Sequence, residues 1–169
     1  PNPSVGCIII KNNKIISKGV TSSTGRPHAE EIALKKAGKK AIGASMYVTL
    51  EPCFHSSQNG SCTDQILRSG IKEIYISCVD QDPRTKNKSI SKLKRNKIKV
   101  VTGLEKNKTI NINKFFFKSL LKQKPFTKVK MAISIDEKIA WSNYKSKWIT
   151  NSKSRSYVHK LRSNSQAIL

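Results

Sequence analysis

The sequence predicts an α/β fold, a three-layer α/β/α sandwich followed by the start of a second α/β domain. Strand-like apolar runs alternate with helix-like runs along the first part of the chain, an order typical of such sandwiches. A polar stretch that ends in proline, Lys122-Gln123-Lys124-Pro125, then separates a helix-like run from a strand-like run. The length of 169 residues fits one full domain plus part of another. We therefore expect domains over residues 1–122 and 126–169.

Five short segments of the first domain are predicted as strands because they are apolar and rich in β-branched or aromatic residues. They are Val5–Ile10, Lys14–Val20, Ser45–Leu50, Glu73–Cys78 and Lys99–Thr102. The first two are joined by Asn12-Asn13, a pair that favours a tight hairpin turn.

Four segments between and after these strands are predicted as helices. They are His28–Ala37, Cys62–Arg68, Ser89–Asn96 and Leu104–Leu121. The first two end at Gly38 and Gly70, because glycine tolerates the left-handed conformation that often follows a helix. The last contains Phe115-Phe116-Phe117, which we interpret as packing onto the sheet or the second domain rather than as a stacking platform for bases.

The second domain begins with strand-like alternation. We expect a strand at Phe126–Ser134, a turn at Ile135–Lys138, a return strand at Lys138–Trp141 and a helix at Asn151–Ser163, capped by Asn151 or Ser152. The chain starts without a methionine, and Gln166–Leu169 has the pattern of a strand that is just beginning. We therefore expect both ends to be cut.

His28, Cys53 and Cys62 supply one imidazole and two thiolates, a ligand set that suits Zn²⁺ and leaves a fourth tetrahedral position for water. Glu30 follows His28 by two residues, so on a helix it points about 200° away around the axis. It is therefore poorly placed to be another ligand of the same metal. It is well placed to reach the open side, where water must lose a proton. Zinc nucleobase deaminases use such a non-ligand Glu to transfer protons.

Simpler interpretations exist for each part of this pattern. A lone His-x-Glu pair is most often a pair of surface polar residues, and two cysteines in a cytosolic protein are more often buried thiols than ligands. The conjunction favours a metal, because Pro27-His28 opens a helix-like run and Pro52-Cys53 follows a strand-like one. A helix N-terminus would also stabilise a thiolate. A structural zinc module, which needs four protein ligands, remains an alternative.

Two sets of motifs occur along the chain. The first set is Asn2-Pro3-Ser4-Val5-Gly6, Val48-Thr49-Leu50-Glu51-Pro52-Cys53 and Asp80-Gln81-Asp82-Pro83; the second is Lys130–Asp136, Ser146–Thr150 and Leu161-Arg162. Eight residues separate Cys53 from Cys62, whereas cytidine and tRNA-adenosine deaminases typically have two between these cysteines. In these features the whole chain resembles the bifunctional deaminase–reductase family of riboflavin biosynthesis. A nucleotide or tRNA deaminase of the same superfamily is the alternative.

The resemblance implies a cytidine-deaminase-like sandwich followed by the start of a dihydrofolate-reductase-like domain, without the helix that normally precedes Pro1 and without most of the reductase. It implies zinc-dependent deamination of a diaminopyrimidinone ribosylamino-phosphate, and in the full-length protein reduction of the ribose with NADPH. It implies substrate contacts by Asn2, His55, Asp80, Asp82, Ser146 and Arg162, and cofactor contacts by Lys130, Ala132 and Trp148.

Alternatives remain open for several of these residues. His55 could be an exposed loop imidazole, Asp80 and Asp82 could cap their own loop, and Trp148 could be a core residue. The chain also departs from the family pattern at four places: Gln58 stands where a Lys is common, Asn59-Gly60-Ser61 replaces a Thr-Pro-Pro-like run, Gln81 replaces a Pro, and Glu137 replaces a turn Gly. The first change puts the usual phosphate contact of that loop in doubt.

The net charge of +23 would by itself suggest a nucleic-acid partner. Only six of the basic residues are arginines, however, and the lysines are spread along the chain. We expect no nucleic acid, but an attractive field for a phosphorylated small molecule. Four lysines of one short stretch are predicted to form a solvated face: Lys92, Lys94, Lys97 and Lys99.

The remaining features concern the compartment and the assembly of the protein. Four cysteines, two of them assigned to metal, suggest a reducing cytoplasm rather than a disulfide framework. Cys7 and Cys78 lie in apolar runs and are predicted to be small buried hydrophobic residues. No apolar run approaches the ~20 residues of a membrane span, so we expect no membrane partner. We also expect a homo-oligomer.

Overall fold

The computed structural model describes residues 2–55, 60–165 and 167–169. The chain divides into two compact units, Pro1–Pro125 and Phe126–Leu169. Our expectations for Gln58 and Asn59 in the loop between the cysteines, and for Gln166, lie outside the described residues.

A mixed five-stranded sheet forms the centre of the first unit, and its strands follow the order β2-β1-β3-β4-β5. They are β1 (Gly6–Lys11), β2 (Lys14–Val20), β3 (Ser45–Leu50), β4 (Glu73–Cys78) and β5 (Lys99–Thr102). β1 pairs antiparallel with β2 and β3, whereas β3, β4 and β5 run parallel. The predicted strands are confirmed, with β1 shifted by one residue. The hairpin turn between β1 and β2 also forms, with positive φ at Asn12 and Asn13.

One face of this sheet carries the main core. Cys7 lies opposite Gly19 on one side and Val48 on the other, and Val48 lies opposite Ile76, so these residues share a face. Cys7, Val48 and Ile76 are all buried, as is Cys78 two residues beyond Ile76. The expectation that Cys7 and Cys78 act as small core residues is therefore confirmed.

Helix α1 (Ala29–Ala37) packs closely against this face at Gly19. A Cβ atom at Gly19 would lie 2.0 Å from the carbonyl oxygen of Ala29, a distance that no side chain can occupy. Glycine at this position therefore lets the first turn of α1 approach β2. A 3-10 turn (Gly38–Ala41) follows α1, and the next helices are α2 (Cys62–Ser69) and α3 (Lys88–Arg95).

Helices α4 (Lys106–Ile112) and α5 (Lys114–Lys122) complete the first unit. The hydroxyls of Thr109 and Ser77 lie 2.7 Å apart, and Ser77 points away from the face that contains Ile76, so α4 covers the opposite face. Phe117 on α5 is buried. Helices thus cover both faces, and the α/β fold class is confirmed.

The prediction of one helix over Leu104–Leu121 was wrong, because the chain breaks at Asn113. The buried carboxamide of Asn113 accepts a hydrogen bond from the backbone N–H of Ser4 at 2.7 Å and donates one to its carbonyl at 3.1 Å. This reciprocal pair fixes the residue between two helices and ties it to the start of the chain. Such a long-range partner is invisible to a periodicity argument.

The second unit contains one helix, α6 (Ser152–Ser163), among its described residues. Asn151 caps it as predicted, because its side-chain oxygen accepts from the N–H of Ser154 at 2.9 Å. The strands predicted at Phe126–Ser134 and Lys138–Trp141 are absent, although the turn between them is closed by a 2.9 Å bond from Ser134 N–H to the Lys138 carbonyl. Isolated strands of this kind lack the partners that a sheet supplies.

Membrane spans, disulfide bonds and burial in the second unit complete the description of the fold. None of the described helices is long and apolar enough to cross a bilayer. All four cysteines are free thiols. In the second unit, no described residue is buried.

Candidate metal centre and active site

His28, Cys53 and Cys62 converge at one end of the first unit. His28 immediately precedes α1, Cys53 follows β3 by three residues, and Cys62 is the first residue of α2. Their ligand atoms all lie within 4.8 Å of one another. His28 Nδ1 lies 3.3 Å from Cys62 Sγ, so Nδ1 is the ring nitrogen that faces the sulfurs.

These three side chains fit a zinc ion. Zn–S bonds of about 2.3 Å and Zn–N bonds of about 2.0–2.1 Å in a tetrahedron place ligand atoms roughly 3.5–3.8 Å apart. His28 Nδ1 and Cys62 Sγ lie 3.3 Å apart and the three ligand atoms all lie within 4.8 Å of one another, so they are close enough to share one ion. One nitrogen and two sulfurs also match the borderline-soft preference of zinc.

The backbone at His28 is fixed by Glu31, three residues along the chain. The Glu31 carboxylate accepts a 2.7 Å hydrogen bond from the His28 N–H, which is the reciprocal half of a capping box. Its other oxygen accepts from Gln65 Nε2 at 3.1 Å, and Gln65 lies on α2. Glu31 therefore joins the helix that follows His28 to the helix that begins with Cys62.

The start of α2 is held by a separate network. Ser61 caps the helix by accepting from the Asp64 N–H at 3.1 Å, and its hydroxyl donates to the Asp64 carboxylate at 2.7 Å. Lys92 on α3 lies 2.6 Å from the other oxygen of Asp64 and 5.6 Å from the centre of the Phe54 ring. Lys92 belongs to the predicted solvated face, but its side chain is 35% exposed and also pairs with Asp64 in the segment that carries Cys62.

The two thiols interact strongly. The Cys62 side chain donates a hydrogen bond to Cys53, and this bond lowers the pKa of Cys53 to about 4. Burial acts in the opposite direction, whereas a hydrogen bond with His28 lowers the pKa further. The pKa of Cys62 is raised, first because it is that donor and second because it is buried. The Cys62 backbone N–H also points at Cys53 Sγ from 3.3 Å. Cys53 is therefore the thiol that ionises first.

Glu30 lies in the first turn of α1 and is only 3% exposed. Burial raises its pKa to about 7, and the neighbouring His28 partly opposes that shift. Such a carboxyl can both accept and release a proton near neutral pH, as a general acid–base group must.

Asn2 and His55 are two of the six predicted substrate contacts. The Asn2 carboxamide lies against Gly25, where an added Cβ would come within 2.2 Å of Asn2 Nδ2, and Gly25 belongs to the loop that leads to His28. His55 Nδ1 is buried and has no hydrogen-bond partner within the described part of the chain. A polar atom in that state is available to a ligand.

Asp80 and Asp82 follow β4, at the edge of the sheet where parallel strands end. Burial raises the pKa of Asp80, and one of its oxygens accepts from the Asp82 N–H at 3.0 Å. Arg84 binds both oxygens of Asp82, with the shortest contact at 2.6 Å, and lowers the pKa of that carboxyl. The Asp82 side chain is thus engaged within its own loop.

Five residues of the second unit are predicted to bind substrate or cofactor, and they are not brought together as the three metal ligands are. Ser146, Arg162, Lys130 and Trp148 are exposed, and Ala132 is half-buried. Trp148 is 68% exposed, with the Arg155 guanidinium 4.3 Å from its ring. Among the described residues, no hydrogen bond joins any two of these five. Their proposed roles stay predictions.

Sequence reasoning missed three residues that fix the segments around the site. Glu31 could have been found, because its position three residues after His28 is the spacing of a capping box. Lys92 and Glu51 act through partners that are distant in sequence, so no local pattern marks them. Glu51 is 3% exposed although it is ionisable, and only the structure shows what surrounds it.

Fold and site together define a zinc-binding domain of the cytidine-deaminase type. Residues 1–78 match the family described as the cytidine and deoxycytidylate deaminase zinc-binding region, and residues 125–169 match the RibD C-terminal domain. The zinc-binding region therefore precedes the segment that matches the RibD C-terminal domain.

Similar proteins carry both segments. The riboflavin biosynthesis proteins RibD of Aquifex aeolicus and Escherichia coli are 40% and 37% identical over 169 residues, all of this chain but 48% and 46% of theirs. The structure of Acinetobacter baumannii RibD, form 2, is 35% identical with a TM-score of 0.90, over 99% of this chain and 47% of that one. This chain is similar to the RibD proteins along its whole length and spans about half the length of these relatives.

A second structure comes from Thermotoga maritima. It is a diaminohydroxyphosphoribosylaminopyrimidine deaminase and 5-amino-6-(5-phosphoribosylamino)uracil reductase, 39% identical with a TM-score of 0.83. The match covers 96% of this chain and 47% of that protein.

Proposed function

We propose that this chain deaminates a diaminopyrimidinone ribosylamino-phosphate by zinc-dependent hydrolysis, a step of riboflavin biosynthesis. The observation that carries the proposal is the convergence of one imidazole and two thiolates within 4.8 Å, beside the buried Glu30. The name of the Thermotoga maritima relative supports the choice of substrate.

Each residue has a distinct task in this reaction. His28, Cys53 and Cys62 would hold a zinc ion, which supplies Lewis-acid activation of water when bound. Glu30 accepts the proton that the water loses and later delivers a proton to the departing amine. Water and the exocyclic amine are thereby converted into a ring carbonyl and ammonia, and Glu30 ends in its starting state.

Substrate contacts are proposed for Asn2, His55 and Asp80. His55 Nδ1, which has no partner among the described residues, and Asp80, which follows a parallel strand, both suit a polar ligand. For Asp82 we favour loop capping, because Arg84 already occupies both carboxylate oxygens.

The second unit is proposed as the N-terminal part of an NADPH-dependent reductase domain. The match of residues 125–169 to the RibD C-terminal domain supports this role. Lys130, Ala132 and Trp148 would contact the cofactor, and Ser146 and Arg162 the substrate, in the full-length protein. We also propose a homo-oligomeric cytoplasmic enzyme without a nucleic-acid partner, consistent with its free thiols.

Ammonia release from a panel of substrates tests the proposal. The panel contains the diaminopyrimidinone ribosylamino-phosphate, dCMP, cytidine and a tRNA, each incubated with the zinc-loaded protein and with Glu30→Gln. We expect release from the first compound alone, and only with the unaltered protein. Preferential release from tRNA or dCMP would instead indicate a nucleic-acid or nucleotide deaminase, and no release from any compound would favour a structural zinc module.

A further inference from the structure

Glu51 is a buried carboxylate to which the proposed reaction gives no task. It follows the last residue of β3 and precedes the ligand Cys53 by two positions. Only 3% of its surface is exposed, and its backbone N–H continues the pairing with β4 by donating to the Cys78 carbonyl at 2.9 Å. A charged group in such a place needs several hydrogen-bond donors around it.

Those donors all come from one segment, residues 80–90. Glu51 Oε2 accepts from the backbone N–H of Asp80 at 3.2 Å and from that of Asn87 at 3.1 Å. Oε1 accepts from the Ser89 hydroxyl at 2.7 Å and, more weakly, from the Ile90 N–H at 3.5 Å. Both oxygens are therefore engaged, and every partner lies beyond β4.

Two of these contacts stabilise the start of α3. Asn87, at the cap position of this helix, makes no side-chain capping hydrogen bond. The Glu51 carboxylate takes its place, because it accepts from Ser89 and Ile90 in the first turn. A negative charge at a helix N-terminus is also favoured by the helix dipole, and hydrogen bonds to a charged acceptor are stronger than neutral ones.

The same segment contacts the chain just beyond Cys53. Phe54 donates its backbone N–H to Thr85 Oγ1 at 3.4 Å, and Thr85 is fully buried. The chain on either side of Cys53 is thus joined to residues 80–90, through Glu51 before it and Phe54 after it. Asp80, one of the proposed substrate contacts, opens that segment.

We propose that Glu51 is a positioning residue, which holds the segment from Asp80 to Ile90 in a fixed place relative to the metal centre. It acts on the substrate through Asp80 and not on the zinc itself. The consequence of Glu51 for catalysis rests on the proposed function. Its effect on the position of residues 80–90 is independent of that function.

The test compares Glu51→Gln with Glu73→Gln in the zinc-loaded protein. Both change a carboxylate to an amide of the same shape, but Glu73 faces Ser45 and Lys99 at the other end of β4. In Glu51→Gln an NH₂ group must face backbone N–H donors. We expect hydrogen exchange at the Asp80 and Asn87 amides to accelerate roughly 10-fold, as the loss of a charged acceptor implies. Zinc content should stay unchanged.

Steady-state kinetics supplies a second measurement. For the diaminopyrimidinone ribosylamino-phosphate, KM should rise about 10-fold in Glu51→Gln while kcat changes less than about threefold, because binding is lost rather than chemistry. Glu73→Gln should match the unaltered protein in exchange and in kinetics. If Glu51→Gln does not fold, Ser89→Ala removes the shortest donor and should accelerate exchange at Asn87 to a smaller degree.

Unchanged exchange at Asp80 and Asn87 in the folded variants would overturn the proposal. So would loss of zinc, which would place Glu51 in support of Cys53, or a fall in kcat at constant KM. Failure of the unaltered protein to release ammonia would instead refute the proposed function, and the exchange result would still decide the role of Glu51.

Discussion

In the first unit, apolar residues from strands and helices meet in a continuous core that runs from Val5 to Phe117, whereas the described residues of the second unit include none that is buried. Large side chains of the second unit are in solvent, among them Ile135 and Tyr144 at 105% and 93% exposure. Both units have strand-like sequence patterns, but only the first places its strands beside partners. A sheet face becomes a core when neighbouring strands and helices cover it.

The metal centre belongs entirely to the unit that has the core. Its three ligands and Glu30 are held by helix starts and strand ends whose positions the core fixes. The nominated reductase residues lie in the unit without one. The difference predicts deaminase chemistry without reductase chemistry.

The largest expected contrast is between the two activities of this chain. With NADPH and the deaminated intermediate supplied, we expect no consumption of NADPH, while ammonia release from the deaminase substrate proceeds. The reason is that Lys130, Ser146, Trp148 and Arg162 are exposed rather than assembled. The absorbance of NADPH at about 340 nm falls as the cofactor is oxidised, so this absorbance measures the consumption of NADPH. Turnover would show that these residues already form a working site.

Removing one aromatic side chain from each unit compares their cores directly. Phe117→Ala should lower the free energy of unfolding by about 3–5 kcal/mol, because Phe117 is only 7% exposed. Trp141→Ala should change it by less than about 0.5 kcal/mol, because Trp141 is 76% exposed. Urea denaturation followed by circular dichroism provides both values. Equal losses would mean that the second unit has a core of its own.

Glu30→Gln tests whether the buried acid transfers protons. The amide keeps the shape but cannot accept a proton, so ammonia release should fall by at least ~10²-fold while zinc is retained. Glu105→Gln, on an exposed carboxylate, is the matched control and should leave the rate unchanged. A near-normal rate in Glu30→Gln would remove the catalytic role, and loss of zinc would make Glu30 a ligand.

Gly19→Ala probes how the first unit brings α1 to its sheet. The added methyl group would fall 2.0 Å from the Ala29 carbonyl, so α1 must shift, at a cost of about 1–3 kcal/mol in the free energy of unfolding. Gly6→Ala is the matched control, because its Cβ would lie 3.9 Å from the nearest atom, an ordinary contact. If both variants unfold at the same urea concentration, the close approach of α1 is not needed.

The sequence predicts most of the first unit because its signals are local. Apolar runs rich in β-branched and aromatic residues predicted β2, β3, β4 and β5 at their observed bounds, and ligand chemistry with the local context of each residue grouped His28, Cys53 and Cys62. The break at Asn113 and the tasks of Lys92 and Glu51 could not be predicted, since each depends on a partner distant in the chain. The strand prediction for the second unit failed for a different reason. The strand-like sequence pattern is present, but no neighbouring strand pairs with it among the described residues.

The central claim is that His28, Cys53 and Cys62 form one zinc site within the first unit. Zinc per chain, measured by elemental analysis of the purified protein and of Cys53→Ser, Cys62→Ser and Cys78→Ser, tests it most directly. We expect about one zinc in the unaltered protein and in Cys78→Ser, whose thiol is buried away from the cluster, and little zinc in the other two. Full zinc retention in both Cys53→Ser and Cys62→Ser would contradict the account.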